Sequence, residues 1–242
     1  MSARVKTSFD RAAAGYHEHA RVQAALVEWL AEWLPAERKG RALEVGAGPG
    51  LFTRKIADWP GGVTATDISP AMCAAGRVAV PQADWRVMAA EEPLAGPWNW
   101  IFSSGMLQWA RSPEQVFAAW RAQLAPCGRV LGGLFAAESL PELRQVSGGP
   151  DPLTWRLPSA WRASLAQAGL KFLRDSSEPR VFAYESAREF LRTLHGVGAA
   201  PSQRFTPGRM RRLLQDYEAR FGEAGGVRAT WTFYRFEAER IG

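Results

Sequence analysis

At 242 residues with 47% hydrophobic and 22% charged side chains, the chain can bury a full core, which excludes whole-chain disorder. Two cysteines, Cys73 and Cys127, are too few and too isolated for a disulfide framework or a metal knuckle. A net charge of +6, carried mostly by arginine, favours an anionic partner.

The first residues, Met1-Ser-Ala-Arg-Val-Lys, lack a secretory apolar segment, and no later run approaches membrane-spanning length. The expectation is a cytoplasmic, reduced chain without membrane contact. Residues 8–34 are expected to form a helical cover, because Val22, Leu26, Trp29, Leu30 and Trp33 recur at helical spacing up to Pro35. The earlier part of that cover holds Tyr16, His17 and His19. His195 is the only other histidine, so no metal site is expected.

The next stretch organises the rest. An apolar strand from Arg41 feeds Gly46-Ala47-Gly48-Pro49-Gly50, and residues 51–59 carry helical spacing. Glycines without a Cβ let the backbone turn sharply and let a ligand lie against it. A dinucleotide turn needs a third glycine where Leu51 stands, so a pyrophosphate fits poorly. The order instead resembles the S-adenosylmethionine turn of Rossmann-like methyltransferases. That resemblance gives two carboxylates a use. Glu44 ends the first strand, where it can answer the ammonium of the cofactor's methionine end. Asp67 ends the next apolar run, 63–67, and can accept hydrogen bonds from both ribose hydroxyls.

Ser69-Pro70 reads as a helix start. Strands are expected at 85–88, 99–103 and 129–135, with a helix at 113–124 and a turn at Pro126-Cys127-Gly128. Residues 137–157 read as a loop with a short turn at 140–144, and 159–168 as a helix. A sixth strand is expected at 170–174, helices at 186–195 and 207–221, and a last strand at 229–236. Strand–helix alternation predicts an α/β fold with right-handed parallel crossovers. Its ligand should collect at the carboxyl ends of the strands, in loops 46–50, 67–68, 88–92 and 103–109.

Several segments together resemble one family, the malonyl-acyl-carrier-protein O-methyltransferases of biotin synthesis. They are Ser8-Phe-Asp-Arg-Ala-Ala-Ala-Gly-Tyr16 with His19-Ala20 and Gln23, residues 43–50, Met106-Leu-Gln-Trp109, Ser139-Leu-Pro-Glu-Leu-Arg144 and Leu191-Arg-Thr-Leu-His-Gly-Val-Gly-Ala199. Thr230-Trp231 matches more loosely. The resemblance implies a single methyltransferase domain: a seven-stranded, mostly parallel sheet, a core at 41–136 and a helical lid at 186–222. It implies S-adenosylmethionine held by Gln23, Glu44, Gly46, Gly48, Gly50, Asp67, Ile68, Ala89, Glu91 and Ser103. Ala89 departs from the family, whose members often carry an acidic adenine contact there; Asn99, Ser104 and His195 depart too.

The reaction implied is methylation of a malonyl carboxylate. With a reference pKa of about 4 the nucleophile is already ionised, so no general base is expected. Arg192 and Arg144 are the candidates to hold that anion, with Tyr16 and Trp109 positioning the reactants. The acidic acyl carrier protein would meet Arg204, Arg209, Arg211 and Arg212, with Arg220 near the helix end. Methylation of another small acid or a phenol, and a non-catalytic binding relative, stay open as alternatives. No nucleic-acid module is visible, so a nucleic-acid partner is not expected.

Overall fold

The computed structural model describes residues 7, 9–10, 13–92, 95–147, 155–197 and 206–241. Among these residues eight strands form one sheet: β1 (Ala42–Val45), β2 (Val63–Asp67), β3 (Asp84–Val87), β4 (Trp98–Ser104), β5 (Leu124–Phe135), β6 (Leu170–Tyr184), β7 (Gly222–Glu223) and β8 (Gly226–Arg240). Their order is β3-β2-β1-β4-β5-β8-β6, with two-residue β7 paired onto β8. Strands β3 to β5 pair in parallel, and β8 runs antiparallel between β5 and β6. The α/β fold with its seven-strand path is the one expected.

Among the described residues nine α-helices accompany the sheet: α1 (Tyr16–His19), α2 (Arg21–Ala31), α3 (Thr53–Ile56), α4 (Pro70–Ala79), α5 (Pro113–Gln123), α6 (Pro141–Ser147), α7 (Pro158–Gln167), α8 (Ala187–Gly196) and α9 (Pro207–Phe221). Every residue of β1 and β2 is buried, as helices on both faces of a parallel sheet require. Alternation along β1 sends Ala42 into one apolar cluster with Val27, Leu30 and Phe52, and Leu43 and Val45 into another with Ile101 and Val130. Helix α2 buries Val22, Leu26, Val27, Trp29 and Leu30, the stripe its spacing predicted. Caps fall where short polar side chains offer an acceptor. Ser69 takes the Met72 N–H, Ser186 that of Glu189 and Thr206 that of Arg209.

Four expectations change. The helix after the glycine turn is one turn long, Thr53–Ile56, flanked by bonds such as Lys55 N–H to Phe52 O. Residues 141–147 form α6 rather than lying wholly in a loop. Strand β5 begins at Leu124 and runs through the expected turn at 126–128, where Cys127 adopts a left-handed φ of 58°. Strand β6 continues ten residues beyond Arg174, because all of it pairs with β8. Among the described residues no helix is long and apolar enough to cross a membrane. No group of three or more His, Cys, Asp and Glu among them could hold a metal ion.

Candidate active site

The site is built where β1, β2 and β4 end. Past β1 the chain turns, and Gly46 and Ala47 donate their N–H groups to Thr66 O at 2.8 and 2.9 Å, pinning the turn to β2. Gly46, Gly48 and Gly50 all take positive φ, of 73°, 56° and 94°. They do three different jobs. A Cβ on Gly46 would lie 2.3 Å from Met106 Cγ, so Gly46 admits a neighbouring side chain. One on Gly50 would meet Val80 and Trp85, on the far side of the turn. A Cβ on Gly48 would meet nothing within 4 Å. That open space belongs to a cavity.

The empty space of the cavity, its opening to solvent included, is about 590 Å³. Of the expected residues, Tyr16, Gln23, Glu44, Gly46, Gly48, Asp67 and Trp109 come together in its lining. Asp67 Oδ2 accepts the Gly48 N–H and Oδ1 the Ser69 N–H, both at 2.9 Å. Ser69 in turn donates its hydroxyl to Asp10 Oδ1 at 2.5 Å, which ties the N-terminal segment and Phe9 to this rim. Glu44 is buried, and its Oε2 has no hydrogen-bond partner. Burial pushes its carboxyl from 4.5 up to about 8; the Thr53 side chain opposes the rise and the Asp67 charge adds to it. Burial likewise raises Asp67 above the usual carboxylate range, against its hydrogen bonds from Ser69 and Gly48. The Tyr16 phenol is raised by burial and by Asp67, so it stays protonated.

The other expected residues lie elsewhere. Ser103 is fully buried and spends its hydroxyl on Val45 O at 2.9 Å; Ser104, Gly105 and Met106 face the cavity instead. Loop 88–92 contributes no lining residue. The Ala89 N–H faces Glu92 Oε2 at 3.3 Å, while Glu91 and half-buried Ile68 are outside the lining. Arg144 donates to Ser139 O, and Arg192 is exposed on α8, so neither lines the cavity. Sequence reasoning missed Phe9, Val27, Leu51, Phe52 and Met72 as lining residues, while Met106 falls in the expected loop 103–109. Leu51 and Phe52 follow the glycine turn directly, which was the available signal.

A methyltransferase-domain family model matches residues 16–202, more than half of the chain. A malonyl-[acyl-carrier protein] O-methyltransferase of Geobacter sulfurreducens is 30% identical, covering 95% of this chain and 95% of that protein. The chain belongs to the malonyl-[acyl-carrier protein] O-methyltransferase family. A second relative, from Enterobacter lignolyticus, is 34% identical over 81% of this chain and 79% of its own. The fold is shared with the solved YcgJ protein of Bacillus subtilis, at a TM-score of 0.66 and 14% identity, covering 90% and 99% of the two chains.

S-adenosylmethionine is the cofactor of this methyltransferase, and the cavity fits it. Two buried oxygens on its lining lack partners, Glu44 Oε2 and Gln23 Oε1. Acceptors without donors suit a ligand that brings an ammonium, which only donates. The open space at Gly48 leaves room for the ligand to lie on the turn.

Glu44 makes that fit testable by pH. Its folded pKa is raised, so in the free protein the stability its protonated form contributes is present below 4.5 and lost as pH rises toward about 8. Binding an ammonium requires the ionised form and releases the proton. Affinity for S-adenosylmethionine should therefore tighten by about tenfold per unit from pH 5.5 to 7 and level off near pH 8, where α-amino groups themselves titrate. Calorimetry in two buffers of different ionisation heat should read about one proton released at pH 6.5. Glu44→Gln should flatten the profile; an unchanged profile would place the ammonium elsewhere.

Proposed function

We propose that this enzyme transfers the methyl group of S-adenosylmethionine to the free carboxylate of malonyl-acyl-carrier protein, giving the methyl ester that starts pimeloyl and biotin synthesis. The observation that carries the reading is the full-length match to an enzyme named for that reaction, over 95% of both chains. The site's chemistry supports it. Among the described residues that line the cavity, the ionisable side chains are Tyr16, Glu44 and Asp67, with no histidine, lysine or cysteine. A carboxylate nucleophile needs none of them as a base.

When bound, the cofactor supplies a methyl carbon activated by its sulfonium. Asp67 offers each oxygen's remaining lone pair to a ribose hydroxyl while its first pair holds Gly48 and Ser69. Glu44 and Gln23 would take the ammonium. Phe9, Tyr16 and Trp109 present aromatic surface, which excludes water and favours a positive sulfonium. Catalysis then rests on alignment rather than proton transfer.

The carrier would dock on α9. Arg209, Arg211, Arg212 and Arg220 are exposed along it; Arg204 lies outside the described residues. Arg209 also donates to Ser147 O at 2.9 Å, which anchors α9 beside α6. Complementary charge of this kind speeds encounter and is screened by salt. The test incubates enzyme and S-adenosylmethionine with malonyl-, succinyl- and acetyl-carrier protein and weighs the products. Malonyl-carrier should gain the mass of one CH2 unit, and no gain on any carrier would overturn the reading. Reversing Arg211 and Arg212 to Glu should raise KM for malonyl-carrier about tenfold at low salt and leave a malonyl group on a short neutral thioester unaffected. Equal losses on both substrates would exclude the docking role.

A further inference from the structure

The cavity wall divides by strand. The sheet order β3-β2-β1-β4 sets the ends of β2, β1 and β4 side by side along it. In the reading above, Asp67 at the end of β2 takes the ribose, and Glu44 of β1 with Gln23 of α2 takes the ammonium. Tyr16 belongs to the same part of the wall, since the Asp67 charge acts on its phenol. A ligand held at β2 and β1 leaves the end of β4 for the molecule that reacts with it. Among the described residues, the side-chain hydroxyl that lines the cavity there is that of Ser104.

The strand register places that hydroxyl. Strands β1 and β4 pair in parallel with Glu44 opposite Phe102. Side chains two residues apart on a strand share a face, so Ser104 stands on the face of Glu44, one strand over and two residues further out. Strand spacing and rise put the two Cα atoms roughly 8 Å apart. Ser103 faces the other way and spends its hydroxyl on Val45 O. Beyond the half-buried Ser104 the wall is braced. The Gly105 N–H donates to Gly133 O at 2.8 Å, the Trp109 main-chain N–H to Met106 O at 2.9 Å, and Gln108 Nε2 to Gly105 O at 2.7 Å. The Trp109 ring also lines the cavity, and Phe9 and Trp155 meet it edge-on, with ring centres 6.1 and 6.0 Å away. A hydroxyl on a strand end beside a ring fixed in this way is set in position before any ligand arrives.

We propose that the Ser104 hydroxyl donates a hydrogen bond to one oxygen of the acceptor's carboxylate, with the Trp109 ring as the wall its carbon chain lies against. The proposal rests on the carboxyl-methylating reading above and names the residue that sets the angle of attack. The bonded oxygen is held, and the other keeps its charge. That free oxygen forms the bond to the methyl carbon as the carbon–sulfur bond breaks, the electron pair stays on sulfur, and no proton moves. The opposite charge a carboxylate needs is the sulfonium's own, so a neutral donor on the wall suffices. A bidentate arginine would occupy both oxygens, including the one that must attack. Arg144 and Arg192 standing outside the cavity accords with this.

The test measures turnover of the full chain with S-adenosylmethionine on the malonyl and succinyl thioesters of N-acetylcysteamine and on a panel of other carboxylic acids. Cofactor affinity by calorimetry and melting temperature are read in parallel. Ser104→Ala should lower kcat/KM on the malonyl thioester about tenfold or more, the effect of one hydrogen bond to a charged group, with S-adenosylmethionine affinity and melting temperature unchanged. Ser104→Thr keeps a hydroxyl on a strand and should recover most of the loss. Ser103→Ala removes the neighbouring hydroxyl and should lower the melting temperature instead, since Val45 O loses its donor. Wild-type kcat/KM in Ser104→Ala would overturn the proposal while the carboxyl-methylating reading stands. An equal loss of S-adenosylmethionine affinity in Ser104→Ala would overturn it too, by giving the hydroxyl to the cofactor. If wild type leaves the malonyl thioester untouched but methylates another carboxylic acid, with the same Ser104→Ala loss, that reading falls and the role of Ser104 stands. Turnover of no carboxylate by wild type would overturn both.

Discussion

Gly48→Val should abolish S-adenosylmethionine binding in a chain that still folds, while Gly46→Ala should do the reverse, melting early but binding once folded. Both glycines take left-handed φ, so each substitution carries a backbone cost of about 1–2 kcal/mol. What differs is the space. At Gly46 the new methyl would lie 2.3 Å from Met106 Cγ, a contact relieved only by shifting Met106, and overpacking of that kind costs about 1–3 kcal/mol more. At Gly48 it meets no protein atom within 4 Å and stands in the ligand's place. Calorimetric affinity and melting temperature, measured on both variants, separate the roles. Normal cofactor binding by a folded Gly48→Val chain would show that the ligand does not lie on this turn.

Asp67→Ala should weaken S-adenosylmethionine binding at least a hundredfold. Two charge-assisted hydrogen bonds to a ribose, at about 1.5–3 kcal/mol each, account for that much. The same carboxylate also holds the Gly48 and Ser69 N–H groups, so the alanine variant should lose some thermal stability as well. Asp67→Asn keeps the shape but only one acceptor, so it can hold one of the Gly48 and Ser69 N–H groups and should recover part of the stability but little of the affinity. Wild-type affinity in Asp67→Asn would place the ribose away from β2.

What the sequence revealed of this site was what backbone geometry demands of residue type. The glycine turn, the carboxylate ending β2 and the Ser69-Pro70 helix start were legible because few residues satisfy those positions. Side-chain direction was not. Ser103 and Ser104 are neighbours on one strand, and successive residues face opposite ways; the pattern could not say which faced the ligand. Arg192 sat in a well-matched segment, yet a matched segment fixes position and not which side of a helix meets solvent.

Strand β6 was half missed for a reason of its own. Beyond Arg174 it carries Asp175, Ser176, Ser177, Glu178 and Pro179, residues that strands ordinarily avoid. They are tolerated because β6 ends the sheet, where Pro179 gives up no bond that an inner strand would need.

Fifteen residues with one open side are also an invitation. A second copy of the chain could lay its own strand along those free amides and carbonyls, extending the sheet from one molecule into the next. Val181, 63% exposed, would even lend such a union some apolar surface. The charges and the proline around it argue against it, and the shift of register between Phe172 and Arg174 breaks the straight run a visitor would need. The residues that disguise β6 from pattern reading are thus the ones that keep the enzyme's longest free border from recruiting its neighbours into fibres.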